Sequence, residues 1–338
     1  MIQRYSLRAL MQTASVRTGG LLDEIVARNA AQLQELKVLP TSRPISILNS
    51  LYADTISSLQ THYSQDRQLE VKLASLDARH GMVIETFADA YSPQVKPLFP
   101  RLLRRQASIS VLLQHAVGLT STRYFNPTGA VDTADIVSMC QDVKNQAIML
   151  AEHQHNWSCD VQVKTTSTIT TAPGYSNSIN VTCVPSFVRF ALLEVVKNAV
   201  GATIELYEER NRALFASSEV DLAEMMSHAP VCVMHIHDTP DAVEVTVADQ
   251  GVGMTPDEQK NAFDFLRSST IQVGKLVDGQ ASYQPMSAPL KGLGVGLCIS
   301  RTFISHFGGQ LTVISKGKGQ GTVVSLKLPK DINIQEDL

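Results

Sequence analysis

The apolar period of this chain changes once, near residue 120, and that change limits the folds open to it. Before it, apolar residues recur every three or four positions. Leu22, Ile25, Val26, Leu33 and Leu36 form one stripe, closed by Pro40, and Ile45, Leu48, Tyr52, Ile56 and Leu59 form a second. A segment from about 66 to 91 carries Leu69, Leu73, Leu76, Val83, Ile84 and Phe87, and Ile109, Leu112, Leu113 and Ala116 follow Pro97 and Pro100. Such spacing places each set on one helical face, and four amphipathic helices on short loops predict a four-helix bundle. Beyond the break, the runs 161–166, 179–183, 231–237, 243–248, 310–314 and 322–328 alternate or are rich in β-branched residues. One helix running to about His155 and others over about 186–210 and 295–307 lie among them, which predicts an α/β sandwich with a mixed sheet. The stretch TSTRYFNPTGAVDTAD, with Pro127 and Gly129, reads as the connection, with Thr133 or Asp135 able to cap the next helix. The expected class is α+β, with a helical bundle over 1–125 and an α/β domain over 126–338.

Composition narrows the function classes. The chain has 338 residues, 44% hydrophobic and 18% charged, with a formal net charge of -3. That balance argues against a general nucleic-acid or membrane-surface binder, and no run of about 18 apolar residues predicts an integral membrane segment. Five scattered cysteines (Cys140, Cys159, Cys183, Cys232, Cys298) fit buried thiols in a reducing compartment better than a disulfide framework. The first 22 residues hold Arg4, Arg8 and Arg17, several Ser and Thr, and no acid. This composition fits a short mitochondrial presequence and equally a basic first helix of the folded domain.

Four short stretches of the second half carry polar or glycine residues that a bare core does not need. LLEVVKNAVGA puts Glu194 and Asn198 four apart on one helical face. The carboxylate can accept a proton, and a carboxamide oxygen suits Mg²⁺, which takes hard oxygen ligands. VADQGVGM places Asp249 at a strand end, ahead of Gly251 and Gly253. A fixed carboxylate there can accept from an exocyclic amine, and glycines let the backbone turn close to a ligand. KGLGVGLCISR sets Gly292, Gly294 and Gly296 before an apolar helix, whose first N–H groups can receive an anion. Leu297 holds the place of a third glycine, so this is not the dinucleotide fingerprint, and no P-loop pattern occurs. GKGQGT brings Gly319, Gly321 and Thr322 before the last strand.

In order, spacing and element type, these four stretches resemble the N, G1, G2 and G3 boxes of the GHKL ATP-binding fold shared by DNA gyrase, Hsp90, MutL and histidine kinases. RHGMVIETFADAY, LQELKVLP, CVPSFVRFALLEVVKNAVGAT and APLKGLGVGLCISR are further similar to the mitochondrial 2-oxo acid dehydrogenase kinases, the group of pyruvate dehydrogenase kinase and branched-chain 2-oxo acid dehydrogenase kinase. The similarity spans roughly residues 5 to 328 in order. It implies a protein serine kinase of the mitochondrial matrix that uses ATP and Mg²⁺, inactivates the dehydrogenase component of such a complex, docks on a lipoyl domain and forms a homodimer. Pyruvate dehydrogenase is the favoured target. It implies Glu194 as the general base and Asn198 as the Mg²⁺ ligand, with Lys197 beside them. It also implies nucleotide contacts at Asn198, Asp249, Gly251, Gly253, Ser268, Ser269, Gly292, Leu293, Gly294, Val295, Gly296, Leu297 and Thr322. The stretch from Met254 to Lys291 is the expected lid over the phosphates.

The chain departs from that family at several positions. Phe190 stands where many members carry His one turn before the base, Gly201 where many carry Arg, Arg267 where the lid motif has Tyr, and Cys298 where Pro is common. Trp157 is the single tryptophan, so the family's Asp-Trp tail element is lacking. A histidine kinase needs an acceptor His usually followed by Glu, but His80 precedes Gly81 and His115 precedes Ala116. A nucleotide-binding scaffold without transferase activity is the other rival. The pairs His153/His155 and His235/His237 lack an evident third metal ligand, so satisfied histidines are expected there.

Overall fold

A computed structural model describes residues 5–13, 19–60, 68–81, 83–90, 92, 94–120, 129–168, 178–212, 228–265 and 294–337. The first half is helical: α1 (Leu7–Thr13), α2 (Gly19–Leu36), α3 (Arg43–Gln60), α4 (Gln68–Gly81), α5 (Val83–Ala90) and α6 (Phe99–Thr120). The predicted stripes face one another, with Ile25, Leu48, Tyr52, Leu73, Phe87, Leu102, Ile109 and Leu112 at most 1% exposed. The third stripe is helical over 68–81 and 83–90, α4 and α5, with residue 82 outside the described residues. Near the end of α4 the His80 carbonyl accepts from the Gln106 side chain. Helix α1 belongs to the fold too, since Leu7 and Leu10 are buried.

The second half contains β1 (Asp132–Asp135), α7 (Ile136–His155), β2 (Val161–Ser167), β3 (Asn180–Cys183), α8 (Pro185–Arg210), β4 (Cys232–Asp238), β5 (Ala242–Ala248), α9 (Pro256–Lys260), α10 (Gly296–Ser305), β6 (Gln310–Ser315) and β7 (Thr322–Pro329). Five strands form a sheet in the order β2-β4-β5-β7-β6, with β2 parallel to β4 and the other neighbours antiparallel. The mixed sheet is therefore as expected. The connecting stretch is less irregular than its composition suggests, because 132–135 pairs antiparallel with 180–183 in a separate two-stranded sheet. Of the two capping candidates, Asp135 caps α7 by accepting from Val137 N at 3.0 Å, while Thr133 lies in β1.

Helix α8 is apolar on nearly every side because it is covered on nearly every side. Its Val184–Phe187 end joins the core of the bundle, and Val188 onward joins the core under the sheet. Helix α10 bridges the same two cores through Ile299 and Ile304. A third bridge is the chain end. Arg8 N donates to Ile332 O, and Tyr5 and Glu336 exchange backbone and side-chain bonds. The Glu336 carboxylate takes Arg28 Nη2 at 2.5 Å, Arg28 Nη1 at 2.9 Å, Ser108 Oγ at 3.1 Å and His306 Nε2 at 3.1 Å. One buried carboxylate thus joins the segment before α1, α2, α6 and the residue after α10.

Candidate functional site

Buried polar groups on α8 open the site. Glu194 is 7% exposed, and Lys197, one turn on, donates to its Oε1 at 2.6 Å while itself 1% exposed. A lysine and a carboxylate so deeply placed must be paired, since either alone carries a desolvation penalty of several kcal/mol. Asn198 is exposed on the same helix, next to the buried Lys197. The ring of Phe190, one turn before Glu194, meets Phe303 of α10 edge-on at 5.3 Å between centroids.

The loop after β5 forms the second wall. Asp249 Oδ1 accepts from Gly251 N at 2.9 Å and from Thr322 N at 3.0 Å, while Asp249 N donates to Thr322 O. Both side-chain bonds fall on Oδ1, which leaves Oδ2 to a ligand donor. Burial pushes the Asp249 carboxyl up to about 6, and the two backbone N–H groups oppose that rise. Gly253 and Gly321 both have positive φ, 62° and 70°. A Cβ at either would lie 2.1 Å from a carbonyl oxygen, of Gly317 and of Asp249 respectively. Only glycine fits these positions, which is why the loop and the β6–β7 hairpin can lie against each other.

The third wall is the N-terminus of α10. Gly294 has φ 72°, Val295 precedes the helix at 2% exposure, and Gly296 is its first residue, followed by Leu297, which packs against the core under the sheet. A Cβ on Gly296 would lie 2.2 Å from Glu194 Oε2. The carboxylate is therefore seated against the first turn of α10, where free N–H groups and the helix dipole favour negative charge.

The structure thus brings together Glu194, Lys197, Asn198, Asp249, Gly251, Gly253, Gly294, Val295, Gly296, Leu297 and Thr322. Ser268, Ser269, Gly292, Leu293 and Arg267 lie outside the described residues, as does most of the expected lid. Its beginning is not loop. Residues 256–260 form α9, opened by a capping box between Thr255 and Glu258, and Phe265 packs on Phe99 of α6 with centroids 3.7 Å apart. Ser315 was not singled out from the sequence. Its hydroxyl accepts from Met254 N at 2.9 Å and donates to Gly321 O at 2.7 Å, fastening loop to hairpin. A serine at a strand end carries no signal of that role; only the approach of two loops distant in sequence reveals it.

The histidines have ordinary partners. His80 is buried against Thr55 and Gln106, and His115 accepts from Ala130 N. Burial drives both rings down to about 4, so neither is placed like an exposed phosphate acceptor. His235 and His237 both meet the Thr166 hydroxyl, and His155 meets Glu208.

Residues 183–332 match the family described as histidine kinase-, DNA gyrase B-, and HSP90-like ATPase, so the second half is a GHKL-type ATPase domain. Over most of its length the chain is similar to pyruvate dehydrogenase kinases. It is 25% identical to the mitochondrial pyruvate dehydrogenase (acetyl-transferring) kinase isozyme 3 of Homo sapiens, over 91% of this chain and 77% of that protein. It is 24% identical to mitochondrial kinase 1 of the same name from Saccharomyces cerevisiae, over 93% and 78%. The Drosophila melanogaster kinase is 23% identical over 92% and 77%.

Proposed function

We propose that this chain is an ATP- and Mg²⁺-dependent serine kinase of the mitochondrial matrix that phosphorylates and inactivates the dehydrogenase component of the pyruvate dehydrogenase complex. The observation that carries the reading is the seating of Glu194 against Gly296. It places a carboxylate beside a helix N-terminus suited to phosphate groups, where a base must stand to serve a hydroxyl attacking the terminal phosphoryl group. The similarity to mitochondrial pyruvate dehydrogenase kinases supports both target and compartment.

In this reading Asp249 accepts the adenine amine through Oδ2, with Thr322 beside it and Gly251 and Gly253 giving the base room. The N–H groups of Gly294 to Leu297 receive the phosphates. Glu194 takes the proton from the serine hydroxyl as its oxygen attacks. Lys197 holds the carboxylate in place through the bond at Oε1. Asn198 fits a hard cation, being an exposed carboxamide one turn beyond Glu194. Mg²⁺ bound there supplies charge neutralisation on the phosphates.

The outer face of the sheet supports a homodimer. Register aligns Val233, Ala248, Val323 and Ile314 in one row across four strands, and Ile314 and Val323 are 61% and 41% exposed. Docking to a lipoyl domain rests on the family resemblance. Purified protein, ATP and Mg²⁺ with the pyruvate and branched-chain dehydrogenase components side by side should give acid-stable serine label on the pyruvate component. Label on the branched-chain component alone reassigns the target, and label on neither defeats the proposal.

A further inference from the structure

We propose that Cys159 and Cys232 are an oxidisable dithiol, which peroxide closes into an intrachain disulfide beneath the nucleotide site. Their sulfurs lie 3.8 Å apart, and among the described residues no other cysteine pair is within hydrogen-bonding reach. A disulfide needs about 2.05 Å between sulfurs, so local movement of under two ångströms closes the bond. Both thiols are buried, but Cys159 lies two residues before β2, an edge strand of the sheet. Opening that edge, rather than the core, is what admits a small oxidant.

The surroundings choose the nucleophile. The Cys159 and Cys232 sulfurs can share one hydrogen, and the Thr203 hydroxyl lies 3.4 Å from the Cys232 sulfur. Both contacts favour the thiolate on Cys232, while Cys159 is held protonated by the same shared hydrogen and by burial. The Cys232 thiolate attacks one peroxide oxygen, the O–O bond breaks, and the departing hydroxide is protonated to water, leaving a sulfenic acid. The Cys159 sulfur then attacks that sulfur, its proton going to the departing oxygen as a second water. Two thiols lose two electrons, and one peroxide becomes two waters.

The bond acts on the site because Cys232 is tied to it on both sides. Gln250, next to Asp249, donates to Val231 O at 3.4 Å. Thr203 follows Ala202, whose carbonyl accepts from Val252 N at 3.3 Å and whose backbone leaves no room for a side chain at residue 251. Drawing Cys232 toward Cys159 removes its Thr203 contact and shifts the support of the Asp249–Gly253 loop. The expected consequence is severalfold weaker binding of ATP.

The test treats the full chain with hydrogen peroxide, then counts thiols after denaturation and maps peptides by mass. The expected result is five thiols falling to three, two hydrogens lost from the linked 159–232 peptides, and reversal by dithiothreitol. Fluorescence of Trp157, two residues from Cys159 and the chain's single tryptophan, should be quenched in step. Cys159→Ser and Cys232→Ser should abolish the change, and Cys140→Ser should keep it. A linkage through other cysteines, between chains, or oxygen addition at either thiol overturns the assignment. Should either serine variant misfold, wild-type peptide mapping decides alone. ATP titration of both forms completes the test: unchanged affinity with the disulfide formed overturns the coupling to the site.

Discussion

Glu336→Ala removes one carboxylate and exposes how far the chain end holds the two halves together. Glu336 is 2% exposed and Arg28 is 0% exposed. Removing one partner of a buried ion pair costs about 3–5 kcal/mol, because the other charge stays buried. Here Glu24 remains on Arg28 Nε at 3.0 Å, which favours the lower end, about 3 kcal/mol. Tyr5 N and Ser108 Oγ lose acceptors at 3.0 and 3.1 Å, adding about 1 kcal/mol together on the scale of a net hydrogen bond. The sum, about 4 kcal/mol, is a large part of the roughly 5–15 kcal/mol that holds a domain folded. Urea unfolding followed by Trp157 fluorescence and by far-ultraviolet circular dichroism measures it. Trp157 reports the sheet half and dichroism mainly the helices, so the two curves should separate in the variant. A loss under about 1 kcal/mol refutes the reasoning, as do curves that stay coincident. Burial alone would raise the Glu336 carboxyl, yet the His306 bond and the Arg28 charge outweigh it and hold the group below its usual value. This stabilisation is therefore complete above the unfolded glutamate value of about 4.3 and is lost as pH falls through the lower folded one. Glu336→Gln should flatten that acid limb.

Four further outcomes follow from the site. Asp249→Asn should weaken ATP binding roughly 10- to 100-fold, the worth of one charged hydrogen bond, by titration calorimetry. Because burial pushes the folded Asp249 carboxyl up to about 6 and its ionised form is the stronger acceptor, wild-type affinity should rise with pH through that value, and Asp249→Asn should remove the dependence. Glu194→Gln should lower kcat by about 10²–10⁴-fold with ATP affinity nearly unchanged. Gly296→Ala forces the Glu194 carboxylate aside, since the added methyl has no room beside it, and should lower kcat about 10²-fold with unfolding little changed; full activity would show that the carboxylate need not sit against α10. Ile314→Asp should shift any dimer to monomer in sedimentation, since a charge replaces an apolar side chain in the exposed row.

Much of the architecture was legible because periodicity is a local property. The bundle stripes, the six strands and α8 with its Glu194–Asn198 spacing follow from which residues recur on one face, and the structure places them within a residue or two. The glycines of the three loops were legible as loop formers, but not the reason each is required. That Gly296 abuts Glu194, or that Gly321 abuts Asp249, is a distance between elements about 70 to 100 residues apart, and no local pattern encodes it. Strand β1 escaped for a related cause. Asp132–Asp135 has poor strand propensity and is extended because Asn180–Cys183 is there to pair with it.

The sequence by itself determined the period of each segment, the switch from helical to sheet patterning, and the order of the four polar boxes, because these rest on backbone propensity and on spacing along one chain. Tertiary structure decided which of those residues meet. It paired Lys197 with Glu194 where both are buried, set two thiols 3.8 Å apart, and carried Glu336 across the molecule to Arg28. Such meetings are settled by burial. A charge or thiol removed from water must find its partner wherever packing delivers one, and packing is a property of the whole chain.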